Sequence, residues 1–445
     1  MNALRIHGGR RLTGEWRVHS AKNAVLPIMA ASILTGEATR LEGCPELVDV
    51  AYMADILRTL GCRIHSGDGA LTIDPQGLNR HEMPDALAKK IRSSIFLLGS
   101  ILARFRKATV TFPGGCEIGL RPIDLHLSGL RQLGVDVREE GGLIRCDGRH
   151  MRAGTVHFDY PSVGATENVM MAAVLLKGRT VLSNVAREPE IVDLQNLLNA
   201  MGARISGAGT HTVTVEGVER LHGVSYQPMP DRIVAGTLLA AAAATGGDVR
   251  LTNVPCRDLY AVFTKLREMG CEIDEEESAA RLRAPQRLTA FQQLQTQPHP
   301  GFPTDMQAQM LALAAMAKGT SVVVENVFEN RFAHAGDLAA QVRKVDHRAR
   351  AQQVHRFGAE DAGGNQVELA LAEFIDHRMP RVVAALVAHH HIVLFRQEID
   401  HAALSLVAPV HSNDCASRHH SIPHFRLCAG KNLPPVLRVI RCFSL

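Results

Sequence analysis

A unit of about 70 residues recurs along this chain and restricts its fold more than any other feature. Each copy closes with a helix that ends in Leu/Met-Gly and passes into a strand. The copies read DILRTLGCRIHS (55–66), SGLRQLGVDVRE (128–139), NLLNAMGARISG (196–207) and TKLREMGCEIDE (264–275). Their glycines, Gly61, Gly134, Gly202 and Gly270, stand 73, 68 and 68 residues apart. Apolar residues at i, i+3 and i+4 give each helix one buried stripe. The glycine falls where a helix C-cap takes a left-handed backbone, and the alternating stretch after it reads as a short strand. The openings recur too, as KGRTVLSNV (177–185), GGDVRLTNV (246–254) and KGTSVVVENV (318–327), each after an Ala-rich apolar segment. One unit is therefore apolar helix, strand, loop, helix, glycine, strand, which predicts an α/β protein.

The fifth unit opens at Lys318 but does not finish. Its helix, HAGDLAA (334–340), should end in Leu/Met-Gly near residue 342, and the chain reads Gln341-Val342-Arg343 instead. Composition changes at the same point: residues 341–445 hold 11 of the 22 histidines but 4 of the 37 glycines. Two stretches there, Gln366 to Phe374 and Val382 to Val387, read as local helices. One reading of the break is translation out of the ancestral frame after about residue 340. The coding DNA tests it, since another frame should then restore the repeat. The rival reading is a metal-binding tail built on His389, His390, His391, His419 and His420. Consecutive histidines cannot all face one tetrahedral site, and no paired C-x-x-C or H-x-x-x-H set accompanies them.

A chain of 445 residues exceeds what one core usually supports, so two domains are expected. The formal charge of +4 gives no reason to invoke nucleic acid. No apolar run approaches the ~18 residues of a membrane span, and Ala235 to Thr245 reads as a buried helix. The N-terminus lacks an apolar stretch long enough for a secretory signal. Nine cysteines without a C-x-x-C pair read as free thiols in a reducing cytoplasm. Residues 1–340 give no sign of a metal or an organic cofactor.

The segment from Phe112 to His126, FPGGCEIGLRPIDLH, needs special backbone geometry because it carries three glycines and two prolines. It presents a thiol (Cys116), a guanidinium (Arg121), a carboxylate (Asp124) and an imidazole (His126). Such a set suits a polar, phosphorylated substrate; the bland alternative is a connecting loop with a buried cysteine.

This loop resembles the catalytic loop of the enolpyruvyl transferases that act on UDP-N-acetylglucosamine, P-G-G-C-x-I-G-x-R-P-x-D-x-H. Other family signatures follow in order: Ser20-Ala21-Lys22-Asn23-Ala24, Arg92 in IRSSIFLLG, Pro161 to Thr166, Arg187-Glu188-Pro189-Glu190, Pro230-Asp231-Arg232, Phe302 to Gln307, and Phe328-Glu329-Asn330-Arg331-Phe332. The resemblance covers residues 1–340 and implies a two-lobed inside-out α/β barrel of repeated units, with helices inside and sheets outside. Residues 22–229 would form the lobe carrying the cysteine loop. Residues 1–21 plus 230–340 would form a second, incomplete lobe, and 341–445 an atypical His-rich tail.

The implied reaction moves enolpyruvyl from phosphoenolpyruvate to the 3-hydroxyl of UDP-N-acetylglucosamine, with release of phosphate, and opens peptidoglycan precursor synthesis. Cys116 would be the general acid; a free thiol with a pKa near ~8.5 is mostly protonated at neutral pH. Asp305 would be the general base. Lys22, Asn23 and Arg121 would serve phosphoenolpyruvate. Arg92, Arg121, Pro122, Ile123, Asp124, Leu125, Ser162, Val163, Gly164, Asp305 and Val327 would hold the UDP-sugar. Ser162 could equally be the N-cap of the helix that follows, and His126 either structural or a substrate contact.

Two other readings compete. The sister enzymes acting on a phosphorylated shikimate lack the thiol-bearing P-G-G-C loop. A defective or binding-only chain that retains UDP-sugar affinity is suggested by the tail. The family also uses arginines in D-L-R-A and D-R-G-Y contexts, and neither context follows Ala340. Loss of one such donor costs roughly 2.7–4 kcal/mol of transition-state stabilisation.

Overall fold

The structure, a computed structural model, describes residues 9–67, 69–114, 123–328, 331–335 and 338, together with the backbone of 354–360, 366–372, 392–393 and 438–439. Its helices are α1 (Lys22–Ala31), α2 (Val48–Leu60), α3 (Asp85–Ala88), α4 (Leu97–Phe105), α5 (Asp124–Gln132), α6 (Val163–Ala173), α7 (Pro189–Ala200), α8 (Arg232–Ala244), α9 (Tyr260–Glu268) and α10 (Gln307–Met316).

The repeating helix–glycine–strand junction has a steric cause. Helix α2 buries Val50, Met53, Ala54, Ile56, Leu57 and Leu60, the expected one-sided stripe. It stops at Gly61, whose φ of 112° lets its N–H reach the carbonyl of Arg58. A Cβ there would lie 2.2 Å from the carbonyl oxygen of Gly77, so no other residue fits. Gly134, Gly202 and Gly270 adopt the same left-handed backbone, at φ 91°, 99° and 92°.

Four sheets share one plan: an opening strand pairs antiparallel with the last strand of its unit, which pairs back with the strand after the glycine. The opening and closing strands are Thr39–Glu42 with Ala70–Asp74 and Arg63–Gly67, Lys107–Thr111 with Leu143–Asp147 and Asp136–Glu140, Arg179–Ser183 with Thr212–Glu216 and Arg204–Ser206, and Asp248–Thr252 with Ala279–Arg283 and Glu272–Glu275. Each opening strand also takes a parallel neighbour from another part of the chain. These neighbours are Ser225–Tyr226, a bridge at Glu82, Thr155–His157 and Thr13–Arg17 respectively. The first three borrowings close a ring of three units, because the first unit is completed by the chain that leaves the third.

Helices lie inside this ring. In α1 every residue from Ala24 to Ala31 is buried, and in α6 every residue from Ala165 to Ala173. Helix α6 packs on α4, α5 and α7, and α1 on α2, α4 and α7. One apolar core runs from Ala21 to Leu221; a second is built from Val18 and residues between Ala235 and Ala335. The architecture is thus α/β with helices within and sheets without.

The fifth sheet departs from the plan. Val322–Val324 has a parallel neighbour on each side, Gln293–Gln295 and Arg438–Val439, where the other four opening strands have an antiparallel partner. Farther along the tail, Gln366–Ala372 is a strand paired antiparallel with Val354–Glu360. The helix expected near Gln366 to Phe374 is therefore replaced by a hairpin, in keeping with the period-two placement of Val367, Leu369 and Leu371. The stretch from Val382 to Val387, and His389, His390, His391, His419 and His420, lie outside the described residues.

Candidate active site

The chain passes between the two cores at Val18 to Lys22 and again at Met229 to Arg232, and these segments run side by side. Ser20 bridges Pro230, the Ala21 N–H donates to the Met229 carbonyl at 2.8 Å, and the Asp231 N–H to the His19 carbonyl at 2.9 Å. The Asp231 carboxylate then joins two helix N-termini. Its Oδ1 accepts from the N–H groups of Ile233 and Val234 at 2.9 Å each, capping α8, and its Oδ2 accepts from the N–H of Lys22 at 3.2 Å, the start of α1. The positive ends of α1 and α8 consequently open at one junction, a setting that favours anions. Lys22 extends from it, half-exposed, with its Nζ 3.1 Å from Asp49 Oδ2. Asn23 beside it is exposed.

Behind Asp231, the next residue makes a buried ion pair with a helix of the first core. Arg232 Nε donates to Glu190 Oε1 at 3.0 Å and its Nη2 to Glu190 Oε2 at 3.3 Å. Burial disfavours the arginine charge, but Glu190, Glu188 and Asp305 outweigh it and raise the Arg232 pKa. Asp305 therefore stands within the field of the same junction. Glu188, the N-cap residue just before α7, adds a contact to the second core by accepting the N–H of His299 on Oε1 at 3.2 Å.

Asp305 lies in the short turn Thr304–Met306, just before α10. Arg331 Nη2 donates to its Oδ1 at 2.7 Å. The fully buried Glu325 ties this turn to the next loop. Both of its carboxylate oxygens accept from Thr304 Oγ1 at 3.0 Å, and Oε1 also accepts the N–H of Val327 at 2.9 Å and of Phe328 at 3.1 Å. Asp305 and Val327 are thus brought together by one carboxylate.

A third group gathers where α5 and α6 begin. Ser162 caps α6, its Oγ accepting from the Ala165 N–H at 3.3 Å, and Val163 and Gly164 form the first turn. Ile123 is buried at the start of α5, Asp124 is exposed in its first turn, and Leu125 is half-buried. The Asn168 amide, oriented by the Gly99 N–H on its oxygen, donates to His126 Nδ1 at 2.8 Å. Burial, and then the nearby charge of Arg92, push its pKa down to about 3, so the ring is neutral. Arg92 is thereby placed in this same group.

Cys116, Arg121 and Pro122 lie outside the described residues, which stop at Gly114 and resume at Ile123. No cluster of three or more His, Cys, Asp or Glu suited to a metal occurs among the described residues. The parts sequence reasoning left without a role are Asp49, Asp231, Glu190, Arg232, Glu325 and Arg331. Four of them sit in motifs already conspicuous in the sequence: Arg-Glu-Pro-Glu, Pro-Asp-Arg and Phe-Glu-Asn-Arg-Phe.

Known proteins agree with this architecture. The sequence profile of the EPSP synthase (3-phosphoshikimate 1-carboxyvinyltransferase) family matches residues 6–406. The chain is 48% identical over 338 residues to UDP-N-acetylglucosamine 1-carboxyvinyltransferase 2 of Caldanaerobacter subterraneus, covering 76% of this chain and 81% of that one. It is 49% identical over 341 residues to the Myxococcus xanthus UDP-N-acetylglucosamine 1-carboxyvinyltransferase, with the same coverage, 76% and 81%. Among solved structures, the enolpyruvyl transferase NikO from Streptomyces tendae superposes with a TM-score of 0.67 at 23% identity, covering 82% of this chain and 83% of NikO. EPSP synthase from Acinetobacter baumannii gives 0.56 at 18%, covering 85% and 87%. The chain belongs to the enolpyruvyl transferase family that EPSP synthase represents.

Proposed function

We propose that this protein transfers the enolpyruvyl group of phosphoenolpyruvate to the 3-hydroxyl of UDP-N-acetylglucosamine, releasing inorganic phosphate at the first committed step of peptidoglycan precursor synthesis in the cytoplasm. The observation that carries the reading is the Asp231 bridge, which opens two helix N-termini and Lys22 at one junction, beside an Arg232 that feels the charge of Asp305. That junction suits an anionic enol ester. The curated relatives, near half identical over three quarters of the chain, support this choice of acceptor.

In this reading the sugar oxygen bonds to C2 of phosphoenolpyruvate as its proton passes to the Asp305 carboxylate. C3 gains a proton from the Cys116 thiol, giving a tetrahedral adduct. C3 then loses a proton as the C2–O bond to phosphate breaks; phosphate departs with that electron pair and the enol ether forms. Lys22 and Arg121 balance the phosphate and carboxylate charge of phosphoenolpyruvate, and Asn23 adds a neutral amide contact to it. Arg92, Pro122, Ile123, Asp124, Leu125, Ser162, Val163, Gly164 and Val327 hold the UDP-sugar. No cofactor enters.

A second reading, a chain that binds the UDP-sugar without turning it over, is favoured by the fifth sheet, where among the described residues Val322–Val324 pairs with parallel neighbours on both sides and not with an antiparallel strand like the other four. Phosphate release from phosphoenolpyruvate, with and without UDP-N-acetylglucosamine, separates the two. The first reading expects sugar-dependent release that falls about 100-fold or more in Cys116→Ser. Equal rates in both chains would remove Cys116 as the acid. No release from either, with sugar binding intact, would establish the second reading.

A further inference from the structure

We infer that Arg331 is the positioning residue for Asp305: it holds one carboxylate oxygen so that the other meets the sugar hydroxyl, and keeps a second nitrogen for an oxygen that arrives with substrate. The inference rests on the role proposed above for Asp305.

Three observations carry it. Arg331 Nη2 is 2.7 Å from Asp305 Oδ1, a charge-assisted bond, and among the described residues no other group bonds this carboxylate. Oδ2 is therefore the oxygen left to take a proton. The Arg331 side chain is 12% exposed against 40% for Asp305, so the guanidinium is the buried, fixed member and the carboxylate faces solvent. Finally, Arg331 Nη1 is buried with no hydrogen-bond partner among the described residues. Folded proteins rarely leave such a donor unmatched, and an acceptor supplied by a ligand is one explanation.

The surroundings fix the guanidinium plane. Its central carbon lies 5.5 Å from the centroid of the Phe328 ring, a cation–π distance. Glu325 holds the Phe328 N–H and Thr304 Oγ1 together, so the segments bearing Arg331 and Asp305 cannot slide apart. In the transfer step the carboxylate gains the hydroxyl proton on Oδ2 while the sugar oxygen gains its bond to C2. Arg331 neither gains nor loses a proton; it keeps Oδ1 occupied and the carboxylate plane aimed.

The test compares the full chain with Arg331→Gln, Arg331→Lys, Asp305→Asn and the Gln/Asn double variant, by phosphate release and by calorimetric affinity for UDP-N-acetylglucosamine. Loss of aim should lower kcat about 100-fold in Arg331→Gln, with sugar affinity held within about threefold. Arg331→Lys, which keeps the charge but not the fork, should lose about tenfold, again with affinity kept. The double variant should be no slower than Asp305→Asn, because the two groups act as one. Should Arg331→Gln fail to fold, Arg331→Lys decides alone: an unchanged kcat overturns the assignment. A kcat loss matched by an equal affinity loss, or multiplied losses in the double variant, overturns it as well. No release from the unaltered chain sinks the proposed reaction and this inference together, whereas normal release by Arg331→Gln sinks this inference only.

Discussion

Arg232 and Glu190 form a two-pronged ion pair between α8 and α7, and their side chains are only 9% and 4% exposed. It joins a helix of one apolar core to a helix of the other. Two further acidic side chains, Glu188 and Asp305, lie within the field of Arg232, so one guanidinium answers several carboxylates in a region with little water.

Removing one partner should therefore be costly. Glu190→Gln leaves the Arg232 charge buried without its hydrogen-bonded counterion, a situation worth about 3–5 kcal/mol of destabilisation. Replacing both, as Glu190→Leu with Arg232→Met, should recover most of that loss. Urea unfolding of the two chains checks this, and equal stabilities would show that the pair's charges are not what holds the two helices together.

Glu167 sets a pH dependence of its own. It is fully buried on α6 and neither carboxylate oxygen has a hydrogen-bond partner among the described residues. Burial, and then the charges of Glu190 and Glu188, hold its pKa well above the ordinary value of 4.5. The folded state thus binds a proton that the unfolded chain releases above that value, so stability falls as pH rises beyond it. Glu167→Gln should remove the penalty. Its stability relative to the unaltered chain should increase between pH 5 and pH 8, measured by urea unfolding at both; a difference independent of pH would show that Glu167 ionises normally.

The repeat was legible because everything that specifies it is local: an apolar stripe, then a glycine at the single position, such as Gly61, where a Cβ would strike the Gly77 carbonyl. The borrowed edge strands were not legible, since nothing near Thr13 announces that it will pair with Asp248. Gln366 to Phe374 reads as helix through its Glu, Leu and Ala residues, yet pairing with Val354–Glu360 overrides that preference. Lys22 and Asp305 stood out through their motifs. The roles of Asp231, Glu190 and Arg232 emerge only when helices from both cores meet, because burial is what gives a charged pair its significance.

His126 provides a second titration, of opposite sign. Its folded pKa near 3 lies far below the ordinary 6.5. The unfolded chain takes up a proton that the buried ring refuses, so the contribution present above pH 6.5 is lost as pH falls from there toward 3. His126→Gln has no such group. The stability difference between the unaltered chain and this variant should shrink from pH 7 to pH 5 in urea unfolding. A constant difference would mean that the imidazole is protonated in place, contrary to its acceptor role toward Asn168.

Gly164 explains how that ring and the first turn of α6 share one space. A Cβ at this position would lie 2.8 Å from His126 Cε1, 3.1 Å from its Nε2 and 3.3 Å from Phe96 Cε1. His126 cannot retreat without losing Asn168, which is itself anchored on the Gly99 N–H and the Ile95 carbonyl. Gly164→Ala should therefore cost about 1–3 kcal/mol, the usual range for forcing one extra carbon into a packed site. Combining it with His126→Ala removes the obstructing ring, and the pair should lose less stability than the two single changes added together. Chemical unfolding of the four chains measures the coupling. Strict additivity would show that the ring yields freely, and that the absence of a side chain at Gly164 serves something other than His126.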